Sequence, residues 1–237
     1  MSKLPYTARN DHMFKRIFGD SRDVSDLTAF LQATLDLPDE DYEEVTIVDP
    51  KLHPERPDDK WGVLDVLVRL RTGKMVDIEI QVCDRPDLRE RAVFYLARMV
   101  SSQIGAGEDY DHIKRTISIL ITDFVLVTDS ASYHNSYMLR DARTGSQFTD
   151  LLEIVTLELP KLPKNPDGSK MWPWLKFIDT DEREELLMLP EKNPQLKHAV
   201  GKLMELTADE REQMLAEARE KGRRDIAAML KGARIEG

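Results

Sequence analysis

The stretch Trp61–Val82, WGVLDVLVRLRTGKMVDIEIQV, carries the reading on which the fold turns. It holds two runs of aliphatic and β-branched residues separated by Thr72-Gly73-Lys74, the pattern of a β-hairpin. Side chains alternate across a strand, so Val76, Ile78, Ile80 and Val82 share one face of the second run. Asp77, Glu79 and Gln81 share the other. In the first run Val63, Asp65, Leu67 and Arg69 fall together, with Leu64, Val66, Val68 and Leu70 opposite. Asp65 thus interrupts an apolar stretch whose composition is that of a central strand.

Working outward from the hairpin, the chain alternates helical and extended signals. Phe14, Ile17 and Phe18 share a helical face, and Leu27, Phe30, Leu31, Thr34 and Leu35 continue the same 3–4 spacing. Pro38 and the acidic run Asp39-Glu40-Asp41 close that section. Val45 and Ile47, reaching toward Leu52, predict a first short strand. Residues 51–60, with Pro54, Pro57 and Asp58-Asp59, read as a turn. Past the hairpin, Asp84-Arg85-Pro86 predicts a helix with Pro86 in its first turn and Leu88, Val93, Leu96 and Val100 toward a core. Gly105 and Gly107 end it. Residues 114–127 read as a buried strand, followed by strands near 136–143 and 151–159. A proline- and lysine-rich connector from Pro160 leads to a helix over 172–178, and everything beyond reads as helix. Thr207 with Glu210 has the form of a capping box. The expected fold is α/β, a mixed central sheet flanked by helices over residues 1–180, with a helical C-terminal extension over 181–237.

Composition narrows the function classes. The 237 residues carry 34 Lys+Arg against 44 Asp+Glu, a formal net charge of −10. That balance argues against wholesale coating of nucleic acid, which wants clustered cations. A nuclease is still allowed, because metal ions can neutralise a local set of carboxylates. No apolar run approaches the roughly 18 residues of a membrane span. MSKLPYTARND has no apolar core of an export signal, and a single cysteine, Cys83, excludes an internal disulfide; the expected compartment is the cytoplasm. The five histidines have no ligand spacing, and neither a dinucleotide fingerprint, a Walker loop nor a Gly-x-Ser-x-Gly elbow is present.

The hairpin also carries the chemistry. If it is in register, Asp65 and Glu79 point to the same side from adjacent strands. Two carboxylates there repel unless one takes a proton or a cation lies between them. A hard divalent cation such as Mg²⁺ takes one or two carboxylates together with substrate phosphate. The same alternation also describes a hairpin with one wet face, where Asp77, Glu79 and Gln81 look at water. Asp65 argues against that alternative, because its neighbours on both faces are apolar.

An acid, some fifteen residues, then Glu-x-Gln on a strand resembles the PD-(D/E)XK nuclease core, helix–strand–strand–strand–helix–strand. The segments NDHMFKRIFGD, VDIEIQV, RERAVFYLARMVSSQIGAGEDY, ISILITDF and WPWLKFI, in that order, resemble more particularly the PD-(D/E)XK nuclease family transposases, relatives of the recombination-promoting nucleases. The resemblance implies a Mg²⁺- or Mn²⁺-dependent DNA endonuclease with Asp65 and Glu79 as metal-binding acids. Gln81 stands where the wider superfamily has lysine; it can orient water but brings no charge and cannot act as a base. Asp11, opening the first helix, is a candidate third metal ligand or simply an acid favoured by the helix dipole. Arg91 and Tyr95, four apart on one helix face, match a phosphate-contacting position, or belong to an ordinary amphipathic helix. DNA is the implied partner, no membrane is expected, and cutting both strands of a duplex favours a homodimer. Two rivals stand beside this reading: a catalytically silent nuclease fold that binds DNA or proteins, and a scaffold assembled through its C-terminal helices. Lys221, Arg223 and Arg224 either touch DNA or form a solvated helix face, the second being the default.

Overall fold

The computed structural model of the chain describes residues 3–52 and 62–236, so the turn expected over 51–60 falls almost wholly outside the described residues. Helices α1 (Asp11–Phe18) and α2 (Ser25–Thr34) come first, then strands β1 (Val45–Val48), β2 (Lys51–Leu52), β3 (Gly62–Val63), β4 (Val66–Leu70) and β5 (Met75–Gln81). Helix α3 (Leu88–Ser101) leads to β6 (Thr116–Thr122), β7 (His134–Arg140) and β8 (Gln147–Glu158). The chain ends with α4 (Trp172–Asp179), α5 (Arg183–Lys192), α6 (Lys197–Ala208) and α7 (Glu210–Glu236). Six strands form one mixed sheet in the order β1-β4-β5-β6-β8-β7, parallel from β5 through β6 to β8 and antiparallel elsewhere; β2 and β3 pair separately. Among the described residues, no helix is long and apolar enough to cross a membrane.

The hairpin forms as its alternation requires. Gly73 takes φ +88° at the turn, a conformation open to glycine, and β4 and β5 pair with Val66 opposite Ile78 and Leu67 opposite Asp77. The aliphatic face of β4 and β5 joins the main core against α1, α2 and α4, where Phe14, Phe18, Phe30, Trp174 and Phe177 cluster. Leu186, Leu203 and Ala216 of α5, α6 and α7 belong to that same cluster.

The other sheet face is covered too. Leu96 and Met99 of α3 pack on Leu64, Leu67 and Met75, so every residue of β5 but Gln81 is buried. The wet-face alternative is therefore overturned: a strand flanked on both sides and helix-covered on both faces holds its acids inside.

Several local expectations shift. Asp65 lies in a bend between β3 and β4, and the alternation flips there, leaving Leu64 on the α3 side with Leu67. Helix α3 starts two residues after Pro86, and its buried stripe is Leu88, Ala92, Leu96 and Met99; Val93 is exposed. The capping acceptor of α7 is Asp209, which takes the Glu212 N–H at 2.9 Å, while Thr207 remains inside α6 and donates to the Met204 carbonyl.

Candidate active site

A cleft of about 370 Å³ opens at the C-terminal end of β5, where the sheet changes from antiparallel pairing with β4 to parallel pairing with β6. Its floor is Asp65, Ile80 and Gln81. The start of α1 contributes Arg9, Asn10 and Asp11, α3 contributes Arg91, and α7 crosses above with Arg219 and Arg223.

The β4–β5 ladder ends at Val66 opposite Ile78, and Asp65 stands in the bend just before it, close enough for its charge to act on Glu79. One Asp65 oxygen accepts the Ile80 N–H at 3.1 Å, which pins the bend to β5. The other meets Lys15 Nζ of α1 at 2.8 Å. Glu79 is 6% exposed and accepts from Gln81 Nε2 at 3.1 Å. Burial, and then the neighbouring Asp65 charge, push its carboxyl up to about 7, against the pull of Arg91 and Lys15. Asp77 lies deeper on the same face. Among the described residues its partner is the Ser118 hydroxyl at 3.3 Å, and its Oδ1 is buried without one. Burial and the charges of Glu79 and Asp65 hold its carboxyl well above the usual carboxylate range.

Asp65, Gln81, Asp11 and Arg91 thus meet in one cleft, with Glu79 directly behind Gln81. Asp11 faces Arg219 Nε at 3.9 Å, and the cap of α1 is Asn10, whose side chain accepts from the His12 and Met13 N–H groups. Arg91 lies over the Tyr95 ring at 5.7 Å. Tyr95 itself is set back from the cleft, packed on the small core beneath α3.

Sequence reasoning missed Lys15 and Arg219, read Asp77 only as a strand-face acid, and set Arg223 down by default as solvated. Lys15 was accessible, since it stands one helical turn after Asp11. Asp77 needed knowledge that α3 covers its face. Nothing local connects α7 to β5.

Among the described residues, no group of three or more His, Cys, Asp or Glu is arranged to hold a metal ion. The donor set fits a hard cation at the level of two carboxylates: Asp65 and Glu79 are electrostatic neighbours, one already drawing a lysine cation, the other held up by burial and its neighbour's charge.

A mixed sheet with an acid at the break before β4, a Glu-x-Gln strand beside it and helices on both faces defines an α/β fold of the PD-(D/E)XK nuclease kind. The chain belongs to the PD-(D/E)XK nuclease family transposases, whose family model matches residues 8–233, from ahead of α1 into the last turns of α7. No curated protein and no solved structure matches the chain significantly.

Proposed function

We propose that the protein is a divalent-metal-dependent DNA endonuclease that hydrolyses phosphodiester bonds, associated with transposon or recombination chemistry. The observation that carries this reading is Asp65 on the floor of an arginine-lined cleft, with the buried Glu79 near enough to feel its charge. Asp65 and Glu79 hold the cation, Mg²⁺ or Mn²⁺, with Asp11 within the same cleft as a further carboxylate. When bound, the cation supplies Lewis-acid polarisation of the phosphate and acidifies water. Gln81, held by its hydrogen bond to Glu79, presents its amide oxygen to orient the attacking water. Arg91 contacts a flanking phosphate as a charge-assisted donor, and Tyr95 acts behind it by supporting the guanidinium.

Plasmid cleavage tests the proposal, with purified protein in Mg²⁺, Mn²⁺ or chelator beside Asp65→Ala and Glu79→Ala. Nicking or linearisation that needs the metal and disappears in both variants is the expected result. Cleavage that survives in both variants would show the centre to be misplaced. A protein that binds DNA but never cuts it would be the silent descendant, consistent with the uncharged Gln81.

A further inference from the structure

Helix α1 sets an acid and a base one turn apart, Asp11 and Lys15, so both project from the same face. Lys15 Nζ lies 2.8 Å from Asp65 Oδ1. The backbone behind that contact is fixed. Phe14, Ile17 and Phe18 are buried, and the Lys15 carbonyl accepts the Gly19 N–H at 2.9 Å. A Cβ at position 19 would stand 2.7 Å from that carbonyl oxygen, so a side chain there would push the closure open. The Lys15 side chain keeps the freedom its backbone lacks. It is 36% exposed, and lysine carries its charge on a flexible four-carbon stem.

Neighbouring cations are committed elsewhere. Arg9 pairs with Asp123 at 3.0 Å and Asp179 at 3.6 Å, Arg16 with Glu212 at 3.2 Å, and Arg223 with Glu220. Lys15 is the cation that the fold places on Asp65, and Asp65 needs one. Its side chain is 17% exposed and stands beside the buried Glu79, so without a counter-charge the two carboxylates repel. Asp65 Oδ2 is tied to the Ile80 N–H at 3.1 Å, which leaves Oδ1, the oxygen Lys15 holds, for any further cation. An ammonium and a dication on one oxygen repel each other, and in a sheltered cleft that repulsion is weakly screened.

We infer that Lys15 is a positioning residue of the centre: it takes the cation's place on Asp65 in the metal-free protein and gives up Oδ1 when a divalent ion binds. The inference rests on the reading of Asp65 and Glu79 as the acids that hold that ion. Metal binding is then an exchange of one counter-ion for another, and the affinity of the centre is set in part from α1.

Calorimetric titration of the full-length protein with Mn²⁺ tests the exchange, beside Lys15→Met, Lys15→Arg and Arg91→Met. Methionine keeps most of the stem and removes the competing charge. Lys15→Met is expected to bind Mn²⁺ about tenfold more tightly or better, and Lys15→Arg to stay within about threefold of the wild type. Arg91 pulls on the Glu79 carboxyl more strongly than Lys15 does while its guanidinium rests over the Tyr95 ring, so its removal reports the field alone. Arg91→Met is expected to tighten binding by less than about threefold. Acylation of Lys15 by an amine reagent, read by mass spectrometry, is expected to rise severalfold when Mn²⁺ saturates the wild type. In Asp65→Asn it should be high without metal. Unchanged or weaker Mn²⁺ binding in Lys15→Met would overturn the inference, as would equal tightening in Arg91→Met or a Lys15 no more reactive with metal than without. Success of both measurements without metal-dependent plasmid cleavage would remove only the endonuclease reading. Mn²⁺-dependent cleavage that needs Asp65, with Lys15→Met binding no tighter, would remove only the inference. Mn²⁺ binding by no form would remove the metal centre and the inference with it.

Discussion

Asp77 sits where a charge is expensive, beneath α3 with one oxygen unpaired, and its raised carboxyl value ties the fold to pH. The folded chain holds a proton that the unfolded chain has already released. Stability therefore falls as pH rises from the ordinary carboxylate range toward the raised value. Glu79 adds to the same slope up to about 7. Asp77→Asn keeps the shape and removes the ionisation, so it should stabilise the fold more at pH 8 than at pH 5. Urea denaturation at both pH values checks this, and an equal shift at the two would contradict the assignment. The nearness of Asp65 to Glu79 was legible from the hairpin, because a tight turn brings the two strands together. Asp77 was not, because alternation shows which face a residue takes and says nothing of what covers that face.

Among the elements, α7 has the most informative weakness. Gly222→Ala supplies helix propensity of about 0.8–1 kcal/mol without a clash, since no neighbour lies within 4 Å of the new methyl. Amide exchange across residues 218–229 should slow by roughly fourfold to fivefold, the equivalent of that free energy. Unchanged exchange would mean that this half already opens as a rigid rod and not by fraying. The misread cap at Thr207 has a simple cause. Thr207-x-x-Glu210 and Asp209-x-x-Glu212 are both capping boxes on paper, and the chain uses the second because α6 runs through Thr207. The stripe of α3 was misjudged for a related reason: Val93 and Ala92 are adjacent, and the smaller one lies on the sheet.

The molecule as a whole is organised around Phe18, whose ring meets Phe14, Phe30, Trp174 and Phe177 at 4.8–6.5 Å. Phe18→Ala should cost about 3–5 kcal/mol, read as a lower denaturant midpoint with unchanged slope. A loss below about 1 kcal/mol would mean that the cluster collapses into the gap. The layered α/β order was readable from periodicity, while the folding of a C-terminal helix back across the first one was a long-range contact with no local signature.

That first helix has a wider consequence. Across Asn10–Phe18, the hydrophobic positions Met13, Phe14, Ile17 and Phe18 fill the core, while Asn10, His12 and Arg16 hold α7. Asp11 and Lys15 reach the cleft and its acid. With no position idle, the segment is pleiotropic. A replacement there asks for matched changes in the sheet, the core or the distant helix at once, so its drift over generations should be slow and correlated with partners some two hundred residues away.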